Sequence, residues 1–219
     1  MAKNQKNVGT QENEVDAAMS KTEQFLQNTS NQKMLFGACA AVVIIVAAIW
    51  GWTKYSASQN AQAQDEIWES QLLFDNGQYE QALEGFEAVA DQYGSTKAGN
   101  MAKAYAGLCQ KNLGNYAEAI SYLQDFSGKD DVVAPAILCA LGDCYVSQDD
   151  NVKAAETFEK AAKAASNAQY TPLFLKKAGL AYEAAGNAAA AQKVYQSIKD
   201  NWAETAIAQS IDKYIERVK

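Results

Sequence analysis

One spacing recurs four times in the chain: a small residue, alanine twelve positions on, and a large apolar residue four further. The sets are Ser70, Ala82 and Phe86; Gly107, Ala119 and Leu123; Gly142, Ala154 and Phe158; Gly179, Ala191 and Tyr195, offset by 37, 35 and 37 residues. Between each small residue and its alanine lies a polar turn, read in order as NGQYEQA, LGNYAEA, QDDNVKA and AGNAAAA. Such a unit is two antiparallel helices. The small residue and the alanine sit where two backbones approach closely, and the large residue fills the gap to the next unit. One unit cannot bury its own apolar face, so the units must stack. With only two prolines, Pro135 and Pro172, and abundant alanine, the composition suits helices rather than β-sandwiches.

The third unit carries the fullest motif, Leu141-Gly142-x-x-Tyr145 followed by Ala154-x-x-x-Phe158, and Gly179-x-x-Tyr182 repeats part of it. This resembles the tetratricopeptide repeat. The first unit departs most, with Ser70 in place of glycine and Glu66 where the family usually has tryptophan. The expected fold is all-α: one N-terminal transmembrane helix, then a solenoid of about four helix pairs with a C-terminal capping helix. Repeats are placed at about 63–96, 100–133, 135–168 and 172–202. The cap, 203–219, carries one apolar stripe of Ile207, Ile211, Tyr214, Ile215 and Val218.

The segment KMLFGACAAVVIIVAAIWGWTK fixes the compartment. Met34 to Trp52 is 19 residues without a charge, bracketed by Lys33 and Lys54, with Trp50, Trp52 and Tyr55 at one end. As a helix it is roughly 28 Å long, close to a bilayer's hydrocarbon thickness. A cleaved signal peptide has a shorter lead and a shorter core, although Ser56-Ala57-Ser58 has the small residues of a cleavage site. A lipidated Cys39 would need the apolar run before it rather than after. A buried core helix is a further alternative. The reading preferred is one permanent span at 34–52, with 1–33 as a polar, partly disordered cytoplasmic tail and 53–62 as a helical connector. Lys21 and Lys33 before the span, against Lys54 after it, favour an N-terminus inside and a repeat domain in the periplasm. In the tail, Val15, Ala18, Met19, Thr22 and Leu26 form a faint helical stripe, and Asn28-Thr29-Ser30 matches a sequon without meaning in the cytoplasm.

Histidine is absent, which removes Ser-His-Asp, Cys-His and His-based zinc chemistry together. Residues 53–219 carry 15 basic and 22 acidic side chains, a sign that repels phosphate backbones, so nucleic acid is not an expected partner. Cys109 and Cys144 occupy equivalent core positions, and Cys139 lies five residues from Cys144 on one helix; these read as small buried hydrophobes. A disulfide would need two of them on facing helices. Asp149-Asp150-Asn151 reads as turn chemistry rather than a calcium loop. No catalytic, metal or cofactor site and no small-molecule substrate is expected.

The resemblance to tetratricopeptide proteins implies a concave groove lined by first-helix positions. These are Ile67, Phe74, Met101, Leu108, Val146, Leu173 and Leu180, with Lys111, Asp143, Lys176 and Glu183 as the charges. The lysine and asparagine of a basic carboxylate clamp are missing from repeat 1, where Ile67 and Gln71 stand. Tail, span and repeat domain together resemble the YfgM-like ancillary subunits of the Sec translocon. That resemblance implies an inner-membrane protein whose partners are the Sec translocon, periplasmic chaperones or exported polypeptides. The alternatives are a scaffold for outer-membrane or cell-envelope assembly, and an inverted topology with the repeats in the cytoplasm.

Overall fold

The computed structural model describes residues 29–219, all of it helices and their connections. The tail stripe from Val15 to Leu26 and the sequon at Asn28 lie outside the described residues. The chain divides into two units at Ser56 and Ala57, and helix α1 (Thr29–Asp75) contributes to both.

In the first unit α1 is long and apolar enough to cross a membrane, and its apolar stretch is unburied among the described residues. Phe36, Ile44, Trp50 and Trp52 are each more than half exposed.

The second unit is a stack of helix pairs. The C-terminal part of α1 pairs with α2 (Tyr79–Tyr93), α3 (Lys97–Asn112) with α4 (Tyr116–Asp125), α5 (Val133–Ser147) with α6 (Asn151–Ala165), and α7 (Thr171–Ala184) with α8 (Ala188–Asn201). The four alanines Ala82, Ala119, Ala154 and Ala191 are fully buried, and Phe86, Leu123, Phe158 and Tyr195 are buried beside them. Burial of each such large side chain contributes about 1.5–3 kcal/mol. The first-helix glycines permit the approach: a methyl on Gly107 would lie 2.8 Å from Leu123 Cδ2, and one on Gly142 2.6 Å from Phe158 Cε1. Repeat 1 reaches the same approach in reverse. Ser70 is buried, and the small partner is Gly85 on α2, where a methyl would collide with the Ser70 hydroxyl. Glu66, in the family's tryptophan position, instead accepts the Tyr93 hydroxyl at 2.7 Å.

Every pair turns through one hydrogen-bond pattern. The N–H groups of Gln78, Asn115, Asp150 and Asn187 donate to the carbonyls of Leu73, Gln110, Tyr145 and Tyr182 at 2.8–2.9 Å, closing a Schellman turn in each repeat. The turn needs one left-handed residue. Gly77, Gly114 and Gly186 supply it at φ 76°, 83° and 74°, while repeat 3 uses Asp149 at φ 57°. Asp150 and Asn187 then cap the following helix by accepting the Lys153 and Ala190 N–H groups.

The cap differs from one continuous helix. It is two short helices, α9 (Ala206–Gln209) and α10 (Asp212–Arg217), broken at Ser210. The Ser210 hydroxyl donates back to the Ile207 carbonyl, and the backbone tightens to three-residue bonds from Ser210 through Ile211, the competition with the helical ladder expected of serine. The apolar stripe still reaches its target. Ile211 and Ile215 are buried with Ala191, Tyr195 and Ile198, and Ile207, Tyr214 and Val218 pack around them.

Candidate protein-binding face

The first-helix positions fall into two groups. In repeats 1 and 2 they serve packing. Ile67 is 6% exposed in the core of the first two pairs. Phe74 lies edge-on to Tyr79 and Tyr105, with centroids 5.4 and 5.5 Å apart, while Tyr105 stacks on Phe86 at 4.8 Å. Met101 packs half-buried against the same cluster and Leu108 against the next, and Lys111 is half-buried on the last turn of α3. In repeats 3 and 4 the same positions open to solvent: Val146, Leu173 and Leu180 are each about 40% exposed. Leu173 and Leu180 are seven residues apart on α7 and share one face.

A pocket of about 280 Å³ opens at the N-terminal ends of α5 and α7, lined by Val132, Pro135, Ala136, Cys139, Tyr170, Leu173 and Phe174. The stacked rings of Tyr170 and Phe174, 6.2 Å apart, form one wall. Its size and apolar lining suit a side chain of a docked segment better than a cofactor.

Beside the pocket, Lys177 bridges the two helices. Its Nζ donates to both Asp143 oxygens at 2.8 and 2.9 Å and lies 3.4 Å from Cys139 Sγ. Burial works against the Lys177 charge, but the bonds to Asp143 outweigh it and leave its pKa raised. The bridge links α7 to α5 beside the pocket. Burial also raises the Cys139 thiol in spite of Lys177, and pushes Cys109 to about 12 and Cys144 to about 11. These thiols stay protonated at neutral pH and behave as small packing groups, and all four cysteines are free. Among the described residues no three His, Cys, Asp or Glu side chains converge as a metal site.

Lys176, a neighbour of Lys177, turns toward the cap. Its Nζ sits 4.8 Å from the Tyr214 ring centroid, with Arg217 at 4.9 Å and Lys213 at 5.1 Å. The Lys176 ammonium beside its hydroxyl draws Tyr214 below the ordinary phenol range. Arg217 also donates to Glu183 at 2.7 Å, and Glu183 accepts the Tyr195 hydroxyl at 2.5 Å, which ties α7, α8 and the cap together. Burial would raise Glu183, but the bonds from Arg217 and Tyr195 prevail and its pKa is lowered.

Sequence reasoning named Asp143, Val146, Leu173, Lys176 and Leu180 as groove positions but not Lys177, the pocket, or Lys213 and Arg217 beside Tyr214. Lys177 follows a nominated position by one residue, and its reach to Asp143 needed the distance between α5 and α7. The cations around Tyr214 depend on the break in the cap, which no spacing rule marks.

This architecture, helical hairpins stacked through close-packed glycines and alanines, defines an α-solenoid of helix-pair repeats. Models of the tetratricopeptide repeat match residues 69–126, 110–169 and 177–205, and the chain belongs to the tetratricopeptide-repeat family. Solved structures agree on the fold. A Podosopora anserina protein with nearly identical TPR-like repeats, described as a kinesin light chain, is 14% identical with a TM-score of 0.58, over 73% of this chain and 86% of that one. A tetratricopeptide repeat protein from Parabacteroides merdae is 19% identical with a TM-score of 0.58, over 71% of this chain and 59% of that one. No curated protein matches the chain at a significant level. Tetratricopeptide folds serve as protein-interaction scaffolds rather than catalysts, and protein binding is the function this fold carries.

Proposed function

We propose that the protein is a membrane-anchored subunit whose repeat domain works in the periplasm, beside the Sec translocon, where it receives or hands on exported polypeptides. The observation that carries this reading is the open apolar strip of Val146, Leu173 and Leu180 running past a pocket bounded by Tyr170 and Phe174. Extended, unfolded segments present apolar side chains at short intervals, and such a strip with one deeper pocket suits them. The unburied apolar length of α1 supports an anchor, and the lysine bias around it supports a periplasmic repeat domain.

The test is photocrosslinking in native membranes from residues 173 and 180, with trapped partners identified by mass spectrometry. Translocon subunits, periplasmic chaperones or varied exported chains are the expected result. A single stable envelope protein would replace this reading with an assembly scaffold. Cytoplasmic proteins alone would reverse the membrane orientation.

A further inference from the structure

The cations around Tyr214 stand apart from the charge of their surroundings. Residues 53–219 hold 15 basic and 22 acidic side chains, yet three cations converge on this one ring. The nearby acids are already engaged: Glu183 with Arg217 at 2.7 Å, Asp212 with Lys199 at 2.6 Å, and Glu216 with Lys219 at 2.5 Å. Among the described residues Lys176 and Lys213 have no acidic partner within ion-pair distance. The ring between them is anchored, tilted against Tyr195 at 5.5 Å. Two ammonium groups thus lie within about 5 Å of the centre of one anchored ring, close enough together to share an anion.

Position decides which anion. Leu173, Lys176 and Leu180 follow one another at helical spacing on α7, so a chain lying along the two leucines passes Lys176. We infer that Lys176, Lys213 and Tyr214 receive a carboxylate of an acidic segment in the protein partner, next to the apolar residues that occupy the strip. The cluster is built by the cap and lies away from repeat 1, where clamp residues are missing. An anionic bilayer is the less favoured source of charge, because the domain's excess of acids repels such a surface. The inference rests on the proposed docking of segments along α5 and α7.

The experiment uses the full chain in a neutral detergent and two fluorescent peptides. One is an extended Leu/Ala peptide ending in a run of glutamates; the other ends in glutamines instead. The glutamate peptide is expected to bind about 3- to 10-fold more tightly at low salt, the sum of two partly exposed ion pairs. That advantage should vanish at high salt and in the double variant Lys176→Gln/Lys213→Gln, which leaves Arg217 on Glu183 and an unchanged melting curve. Equal binding of the two peptides overturns this inference and leaves the docking strip standing. Binding of neither overturns both. A glutamate preference that survives in the double variant places the cation elsewhere and overturns it. So does displacement of the peptide by phosphatidylglycerol vesicles but not by phosphatidylcholine vesicles, which would make the cluster a lipid site.

Discussion

Adding one methyl group at each first-helix glycine tests the packing of the solenoid position by position. An Ala methyl at Gly179 would overlap Tyr195 Cε1 and lie 2.6 Å from its Cζ, far inside the ordinary carbon contact of about 3.5–4.0 Å. Tyr195 has no room to yield: it is fully buried, bonded to Glu183, and packed against the cap through Ile211. At Gly142 the methyl would meet Phe158 Cε1 at 2.6 Å, a buried ring without a polar tether. At Gly107 it would meet Leu123 Cδ2 and Cγ at 2.8 Å and Tyr122 Cβ at 3.1 Å, the longest of the three approaches and against aliphatic atoms rather than a rigid ring. Alanine gains about 1 kcal/mol over glycine in a helix interior, while overpacking costs about 1–3 kcal/mol. Because the ring at Gly179 is held on several sides, its cost takes the top of the range or exceeds it. The expected net losses are about 2 kcal/mol for Gly179→Ala, about 1 for Gly142→Ala, and near zero for Gly107→Ala. For a unit of this size the first corresponds to about 4–8 °C of melting temperature. Circular dichroism melts of the full chain in neutral detergent provide the assay. If Gly179→Ala melts at or above the unsubstituted protein, or if Gly107→Ala is the worst of the three, the close approach is not what holds these pairs together.

The turn of repeat 3 should be improvable: Asp149→Gly relieves a left-handed backbone at φ 57° and is expected to add about 0.5–1 kcal/mol, so an unchanged or lower melting point would mean that Asp149 has a compensating contact. The Lys177 bridge is about one-third exposed at each end, so a double-mutant cycle with Asp143→Ala and Lys177→Met should return a coupling of about 0.5–1 kcal/mol, and a value near zero would remove its role in linking α7 to α5. Tyrosine ionisation, followed by ultraviolet absorbance, should be spread: Tyr214, bonded by Lys176, titrates below the ordinary phenol range, while Tyr122, hydrogen-bonded to Glu87, and Tyr182, half-buried and bonded to Glu159, are pushed to about 12. These raised values make a contribution to stability that is complete below pH 10.0 and lost as pH rises toward 12; Tyr214→Phe should remove absorbance change on the low-pH side of the transition, and a titration unchanged there would refute the cation cluster.

The fold was legible because its determinants are local and repeated. A glycine, an alanine and a ring at fixed offsets report one backbone approach, and four copies of that report reinforce each other. Ser70 shows where this stops. Read within its own repeat it is a weakened match; read across the pair it is complemented by Gly85, since close approach constrains the sum of two side chains rather than either alone. The cap was legible as a stripe, because Ile211 and Ile215 bury whatever the path of the backbone. It was not legible as two helices, because that depends on one serine competing for the Ile207 carbonyl.

The candidate site was less legible, because the same first-helix positions do two jobs. Which job a residue takes depends on what the neighbouring helix brings. Tyr79 and Tyr105 close over Phe74, so repeats 1 and 2 spend their groove positions on an aromatic cluster. In repeats 3 and 4 the short side chains Ala136 and Cys139 line the pocket beside Leu173, Lys177 bonds Asp143, and Leu173 and Leu180 remain about 40% exposed. The groove positions are thus closed by aromatic packing in repeats 1 and 2 and open in repeats 3 and 4. Replacing Ala136 with phenylalanine should transfer the closed arrangement to the open end, filling the pocket beside Tyr170 and Phe174. The melting temperature should hold or rise as the ring buries, while crosslinking from residue 173 falls. If crosslinking persists undiminished with the pocket filled, partners do not dock through it, and the strip near Leu180 alone carries binding.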